Sequence, residues 1–291
     1  MNNDKNRVDQ ENSEHSDFFK NVEIPFTKSK EDIWDILSDN LDSGVSVPPK
    51  GKLISMVWYK VAAAVLILFM ASTSFMKLHT ITVISEKGTH TSHILPDGSL
   101  VELNAATTIS YHPYWWSISR AVDLEGEAFF KVKKGSKFIV ESTFGNTKVL
   151  GTSFNIYARN NEYKVFCKTG KVKVSNTDLT VKLIITPGEM AVLNFENNTG
   201  EIENDLLDNI ISWRLNEFYF EAKPLADVIK EIEIQYNVNI RLEGDDLEHL
   251  IYSGRFTKKG KVAVPLELIC QSFNLNFISS GKNDYNISTN N

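Results

Sequence analysis

Between Lys60 and Lys77 the chain gives up its charges, in a run that reads VAAAVLILFMASTSFM. No other stretch constrains the fold as much. Val61 to Met76 is 16 uncharged residues, about 24 Å as a helix, against a hydrocarbon layer about 30 Å thick. Starting at Met56 gives 21 residues and about 31 Å, with Lys60 laying its stem along the helix and its ammonium among the headgroups. Trp58 and Tyr59 then fall at the interface, where amphipathic rings are favoured. Val61, Val65, Leu66, Ile67, Leu68, Phe69 and Phe75 each favour insertion by about 0.3 to 0.6 kcal/mol. A core helix of this length would show a polar edge, whereas here Ser72, Thr73 and Ser74 bunch near one end. About sixty residues precede the run, too many for the short charged start of a cleaved signal peptide. The run is read as a membrane span over 56–77. Lys50, Lys52 and Lys60 before it, against Lys77 and Lys87 after it, favour the N-terminus inside.

Charge and cysteine usage exclude several classes. The net charge is −6 and no Lys/Arg cluster is dense enough to track a phosphate backbone, so direct nucleic-acid binding is not expected. Cys167 and Cys270 have no metal-ligand spacing, and each lies in an apolar run as a small buried hydrophobe would.

Residues 1–57 are acidic, with 11 Asp and Glu against 7 Lys and Arg. Within them, SKEDIWDILSDNL (29–41) opens with Ser29 and Asp32 at capping-box spacing, Asp replacing the usual Glu or Gln. Ile33, Trp34, Ile36, Leu37 and Leu41 then recur on one helical face. Gly44, Pro48 and Pro49 close the pattern. A lone helix of this length is marginal in water, so the face wants a partner. Two partners are open: the segment around Phe18, Phe19 and Phe26, or another protein.

After the span the periodicity becomes alternating. ITVIS (81–85), LVELN (100–104), AVDL (121–124), AFFKV (128–132), KFIVES (137–142), TKVLG (147–151), SFNIYA (153–158), YKVFC (163–167) and KVKV (171–174) are short and rich in β-branched and aromatic residues. Pro96-Asp97-Gly98 and Pro187-Gly188 mark turns. The pattern predicts an all-β sandwich or roll.

Candidate chemistry is sparse, and neither a catalytic nor a metal or cofactor site is assigned. Glu125 and Glu127 are two apart on a strand-like run, as an acid and base on one face would be, but no His or Lys nearby in sequence tunes them. His90 and His93 differ by three, which does not align ligands on a strand. Tyr111, Tyr114, Trp115 and Trp116 form either a sugar platform or a packed corner. Phosphate loops, nucleophile elbows and HExxH runs do not occur in the sequence.

Four boxes in order carry a resemblance: LPDGSLVELNAATTISYHP, RAVDLEGEAFFKV, FIVESTFGNTKVLGTSFNIYA, and KTGKVKV with ITPGEMAVLN. Through Asp97, Gly98, Ser99, Leu103, Asn104, Arg120, Gly126, Glu127, Phe130, Val132, Gly151, Thr152, Phe154 and Gly170 they resemble the periplasmic domain of FecR-family anti-sigma factors. Beyond them, FYFEAKPLADVIKEIEIQYNVNIRLE reads as strand, helix, strand, with Pro224 in the first turn and Leu225, Val228, Ile229, Ile232 and Tyr236 as the apolar stripe. IYSGRF, VPLELICQSFNLNFIS and DYNIS repeat the scheme with Pro265 in the same role. This part is similar to the small C-terminal domain of Bacteroidetes members of the family, and looks related to the secretin and TonB short N-terminal domain.

The resemblance implies a non-enzymatic, single-pass inner-membrane protein with a cytoplasmic N-terminus and a periplasmic C-terminus. It implies a cytoplasmic sigma-interacting segment over 1–55, a β domain over 78–200, a linker over 201–215 and an α+β receptor-interaction domain over 216–291. The implied partners are an extracytoplasmic-function (ECF) sigma factor, met by Ile33, Trp34, Ile36, Leu37 and Leu41, and the signalling domain of a TonB-dependent outer-membrane receptor. Nutrient-uptake genes would be the regulated output. The sigma-binding region of the family is usually longer, so this segment reads either as a shortened inhibitor or as one that promotes sigma activity. The alternative function is a membrane-anchored periplasmic scaffold or glycan-binding module without sigma control.

Overall fold

The computed structural model describes residues 28–42, 56–195, 198–204, 207–244 and 246–290. Phe18, Phe19, Phe26, Gly44, Pro48 and Pro49 lie outside them, as do Lys50 and Lys52.

Helix α1 (Lys30–Asp42) begins with the capping box its sequence predicts. The Asp32 amide donates to Ser29 Oγ at 3.1 Å and the Ser29 amide donates to Asp32 Oδ2 at 3.0 Å. The shorter Asp thus closes the reciprocal pair that Glu usually makes. Its five apolar residues are all exposed, Trp34 at 64 % and Leu41 at 72 %.

Helix α2 (Met56–Leu78) has 23 residues, about 35 Å, enough to cross a bilayer. None of its residues is buried by protein, as a lipid-facing helix requires. Thr73 Oγ1 lies 3.0 Å from both Phe69 O and Met70 O, so its hydroxyl is satisfied within the helix, where no water would serve it.

Thirteen strands follow. They are β1 (Ile81–Ser85), β2 (Thr91–Ile94), β3 (Leu100–Leu103), β4 (Thr107–Tyr111), β5 (Arg120–Lys131), β6 (Phe138–Glu141) and β7 (Asn146–Val149), then β8 (Ser153–Arg159), β9 (Glu162–Thr169), β10 (Val172–Ser175), β11 (Lys182–Ile185), β12 (Met190–Asn194) and β13 (Thr199–Glu203). They form two layers that share β5. One layer runs β1-β4-β5-β6-β7-β10-β11, the other β2-β3-β5-β8-β9-β12-β13. The predicted sandwich is therefore observed, with one correction: AVDL and AFFKV are not two strands but the two halves of β5. The change of layer falls at Gly126, whose φ of +113° L side chains avoid. A Cβ there would meet Thr107 Oγ1 at 2.6 Å and Thr107 Cα at 2.8 Å. Because the second half of β5 lies in the other layer, it serves as the crossover that the parallel β5–β6 pair needs.

Between the layers lies one core. Phe130 stacks on Phe154 with centroids 5.1 Å apart and meets Phe138 of the opposite layer edge-on at 6.1 Å. Tyr163, fully buried, brings its hydroxyl to 2.8 Å from Thr147 Oγ1 across the sandwich. Cys167 shares this core with Tyr163 and Val165, and burial pushes its thiol up to about 11, as for Cys270 elsewhere. Both cysteines are free and buried.

The last module comprises β14 (Glu217–Pro224), α3 (Leu225–Tyr236), β15 (Asn239–Glu243), β16 (Ile251–Thr257), α4 (Ala263–Phe273), β17 (Leu275–Ser279) and β18 (Asp284–Thr289). β14 pairs with β16, and β15-β18-β17 form a second small sheet. Leu225, Val228, Ile229 and Ile232 of α3 are buried as its stripe predicts, and Tyr236 packs at their edge. Both helices end on an asparagine in the left-handed region, Asn237 at φ +53° and Asn274 at φ +52°. The matched stops give the two strand–helix–strand units the same exit. A 3-10 segment, Leu207–Leu215, lies in the region expected to be a linker; it buries Ile211 and Trp213 in the core of this module.

Candidate functional site

The motif residues fall into three groups, and two of them brace the β domain itself. Asp97, Gly98 and Ser99 make the tight turn between β2 and β3, with Gly98 at φ +78°. Asp97 accepts from the Ser99 amide at 2.9 Å, from Ser99 Oγ at 2.8 Å and from Arg120. Burial of Asp97 opposes ionisation, but the hydrogen bonds from Ser99 and the Arg120 guanidinium outweigh it and hold its pKa below the ordinary carboxylate value. Arg120 also donates to Ser136 O at 2.6 Å and Lys133 O at 3.0 Å, and lies over the Phe138 ring. Thr152, between Gly151 and β8, donates to Lys171 O at 3.3 Å beside Gly170, while the Val132 amide donates to Thr152 O at 2.9 Å.

The third group reaches out of the sandwich. Glu127 is buried and accepts from Asn104 Nδ2 at 2.7 Å and Asn155 Nδ2 at 2.8 Å. Burial pushes its pKa up to about 7 against the attraction of Arg159. Asn104 Oδ1 in turn accepts from Gln235 Nε2 of α3 at 2.8 Å. Gln235 also donates to Glu231 Oε1 at 2.8 Å and lies 3.1 Å from His90 Nε2. Arg159 pairs with Glu231 at 3.8 Å and donates to Thr107 Oγ1 at 3.0 Å and to Ala105 O. Trp213 Nε1 donates to Asn155 Oδ1 at 3.3 Å, and its ring meets His90 edge-on at 5.3 Å.

This polar cluster joins the β domain to the last module, and apolar contacts surround it. Phe129 and Phe166, on the outer face of the β3-β5-β8-β9 layer, belong to the core of the C-terminal module. Arg214 covers the Phe129 ring at 3.9 Å and grips Glu102, with Nη2 to Oε1 at 2.8 Å. Lys258 Nζ donates to Gly88 O at 2.7 Å, and the Gly88 amide donates to Ile234 O at 2.8 Å.

The remaining candidates separate. Glu125 is exposed on one layer and Glu127 buried on the other, so the change of layer at Gly126 leaves them unpaired as acid and base. His90 belongs to the junction, while His93 lies 2.9 Å from Tyr111 Oη. Tyr111 and Trp116 are core, edge-on at 5.5 Å, and Tyr114 is half exposed. Sequence reasoning passed over Gln235, Asn155, Arg159 and Trp213. For Gln235 a signal existed: a polar residue three positions after Ile232 on the apolar stripe of α3, fully buried here.

An apolar helix long enough to span a bilayer, a β sandwich after it and an α+β module docked on the sandwich define a single-pass membrane protein with a two-module body. The FecR protein family model matches residues 81–173 and the FecR C-terminal model matches 217–286, together more than half of the chain. The chain belongs to the FecR family, a regulatory one. Both matched segments begin where an element does, at β1 and at β14. Two crystal structures, at 2.50 and 1.65 Å, of a candidate anti-sigma factor from Parabacteroides distasonis ATCC 8503 are similar to it. They share 28 % and 29 % identity, with TM-scores of 0.66 and 0.65, and cover 73 % and 72 % of this chain and 100 % of their own. No curated protein sequence matches.

Proposed function

We propose that this protein is an inner-membrane anti-sigma factor that controls an ECF sigma factor in response to a TonB-dependent outer-membrane receptor. The observation that carries the reading is the capped helix α1, with Ile33, Trp34, Ile36, Leu37 and Leu41 exposed, placed before a membrane-spanning helix whose other end leads into a FecR domain. Family membership and the two similar structures support the anti-sigma role. On this reading the N-terminal segment is cytoplasmic, 78–200 and 216–291 are periplasmic, and the last module meets the receptor's signalling domain. A helix face that covers sigma surfaces needed for polymerase or promoter would inhibit by occlusion, and the acidic N-terminal segment suits a basic DNA-binding face. Receptor engagement would act through the docked modules on α2, and nutrient-uptake genes would be the output.

The test is binding of the full-length protein in nanodiscs to each ECF sigma factor of its host, with Trp34→Ala in parallel. Binding to one sigma factor, weakened at least tenfold by the substitution, is the expected outcome. Absence of binding to every sigma factor would overturn the reading in favour of a membrane-anchored scaffold.

A further inference from the structure

Tyr114 lies against the end of the span. Its ring centroid is 6.2 Å from that of Phe75 and 5.1 Å from that of His79, and Phe75 and His79 stack at 5.7 Å. His112 Nδ1 lies 3.1 Å from Thr80 Oγ1 and 3.2 Å from His79 O. β1 starts at Ile81, and Ile81 pairs with Tyr111 of β4. The loop 112–119 is thus fastened to the point where the chain leaves α2.

That fixes its depth. Phe75 is three residues from the last residue of α2, about 4.5 Å along the axis. Lys77 beside it suits the headgroups, where a long cation places its charge. A ring in contact with Phe75 lies at the same level, whatever the rest of the domain does. The side chains offered there suit that level: Tyr114 is 51 % exposed and Ile118 65 % exposed. Tyrosine is favoured at such an interface because one end is apolar and the other polar. The loop is also held from behind, since Trp116 is buried and meets Tyr111 and Phe138 edge-on at 5.5 and 5.9 Å.

We propose that the loop 112–119 is a lipid-docking surface, in which Tyr114 and Ile118 enter the interface of the bilayer that α2 crosses and seat the β domain on it. The occupant is lipid because the surface continues that of a lipid-facing helix, and a protein partner would have to displace headgroups to reach it. Two residues separate α2 from β1. With the ring cluster closed over them, a rotation of the β domain reaches the span through packed side chains instead of a slack tether. The inference rests on α2 being a span.

The test uses full-length protein in nanodiscs of phosphatidylethanolamine and phosphatidylglycerol, spin-labelled in turn through Leu68→Cys in α2, Ile118→Cys in the loop and Thr177→Cys. Thr177 lies between β10 and β11, at the edge of its layer opposite β1. The native cysteines are buried and do not compete for label. Collision with oxygen, which concentrates in lipid, is compared with collision with a water-soluble nickel chelate. The expected oxygen-to-nickel ratio at Ile118→Cys is at least several-fold above that at Thr177→Cys and approaches that at Leu68→Cys. Should Ile118→Cys express poorly, Ser117→Cys, also exposed, takes its place. A water-like ratio at the loop with a lipid-like ratio at Leu68→Cys overturns the docking and leaves the span standing. A water-like ratio at Leu68→Cys overturns both, and a loop label shielded from both probes means protein contact and overturns lipid docking.

Discussion

Gln235 donates to Asn104 at 2.8 Å, and through that one bond a helix of the C-terminal module reaches a carboxylate, Glu127, that is buried in the β domain. Asn104 Oδ1 also accepts from the Ala105 amide at 2.8 Å, so the side chain serves its own loop and its neighbouring module together. Gln235→Ala and Asn104→Ala should each destabilise the protein by about 1 to 3 kcal/mol, the cost of leaving buried polar groups without partners. Their effects should not add, with a coupling of about 0.5 to 3 kcal/mol. Urea unfolding of the full-length protein and its variants in detergent measures this; simple additivity would show that the bond does not join the modules energetically.

Gly126 allows β5 to leave one layer for the other, and no L residue fits that position. Its φ of +113° and a Cβ 2.6 Å from Thr107 Oγ1 combine backbone strain with a clash against backbone and side chain. Gly126→Ala should cost about 2 to 6 kcal/mol, summed from strain and overpacking of about 1 to 3 kcal/mol each. A substitution at Gly188, where nothing lies within 4 Å, shares the positive φ of +91° without the clash and should cost distinctly less. Equal shifts in melting temperature for the two alanine variants would refute the role assigned to close packing at Gly126.

Much of this was legible in the residues. β1 spans ITVIS as read, and the stripe of α3 is buried at Leu225, Val228, Ile229 and Ile232. These elements bury one face, and burial writes period into sequence. β2 (TSHI) and β13 (TGEIE) carry no such mark, because neither has a buried residue. The junction was least legible. Glu127, Asn155 and Arg159 look like surface residues of alternating strands, and only a second module packed on that outer face makes them interior. The resemblance singled out Asn104 and Glu127, but the part they play at the junction runs through Gln235, 131 residues beyond Asn104.

The capping box of α1 yields a graded prediction. Ser29→Ala removes the acceptor of the Asp32 amide and should cost the helix about 1 kcal/mol. If the helix is the sigma-binding element, that loss should weaken sigma binding by about fivefold, a smaller drop than the one expected for Trp34→Ala. Calorimetric titration of the full-length protein against its sigma factor compares them. A larger loss at Ser29 than at Trp34 would argue that the start of the helix, and not its apolar face, makes the contact.

Glu127 should set a pH dependence of stability that runs opposite to the usual carboxylate. Its pKa in the fold is about 7, against 4.5 for the free group. Between these values the folded protein holds a proton that the unfolded chain has released, so stability falls as pH rises through the window. The full effect is on the order of 3 kcal/mol, an upper bound for a buried group that also meets Arg159. His90, whose pKa is lowered mainly by burial, acts in the reverse sense below its ordinary value of 6.5 and partly masks the trend. The comparison that isolates Glu127 is therefore between the native chain and Glu127→Gln, in which His90 is common to both. In unfolding free energies measured from pH 4.5 to 8, the native chain should lose stability relative to the variant as pH rises. Parallel curves for the two proteins would mean that Glu127 releases its proton in the fold at the same pH as in the unfolded chain, and the junction would then lack a carboxyl whose titration is coupled to folding.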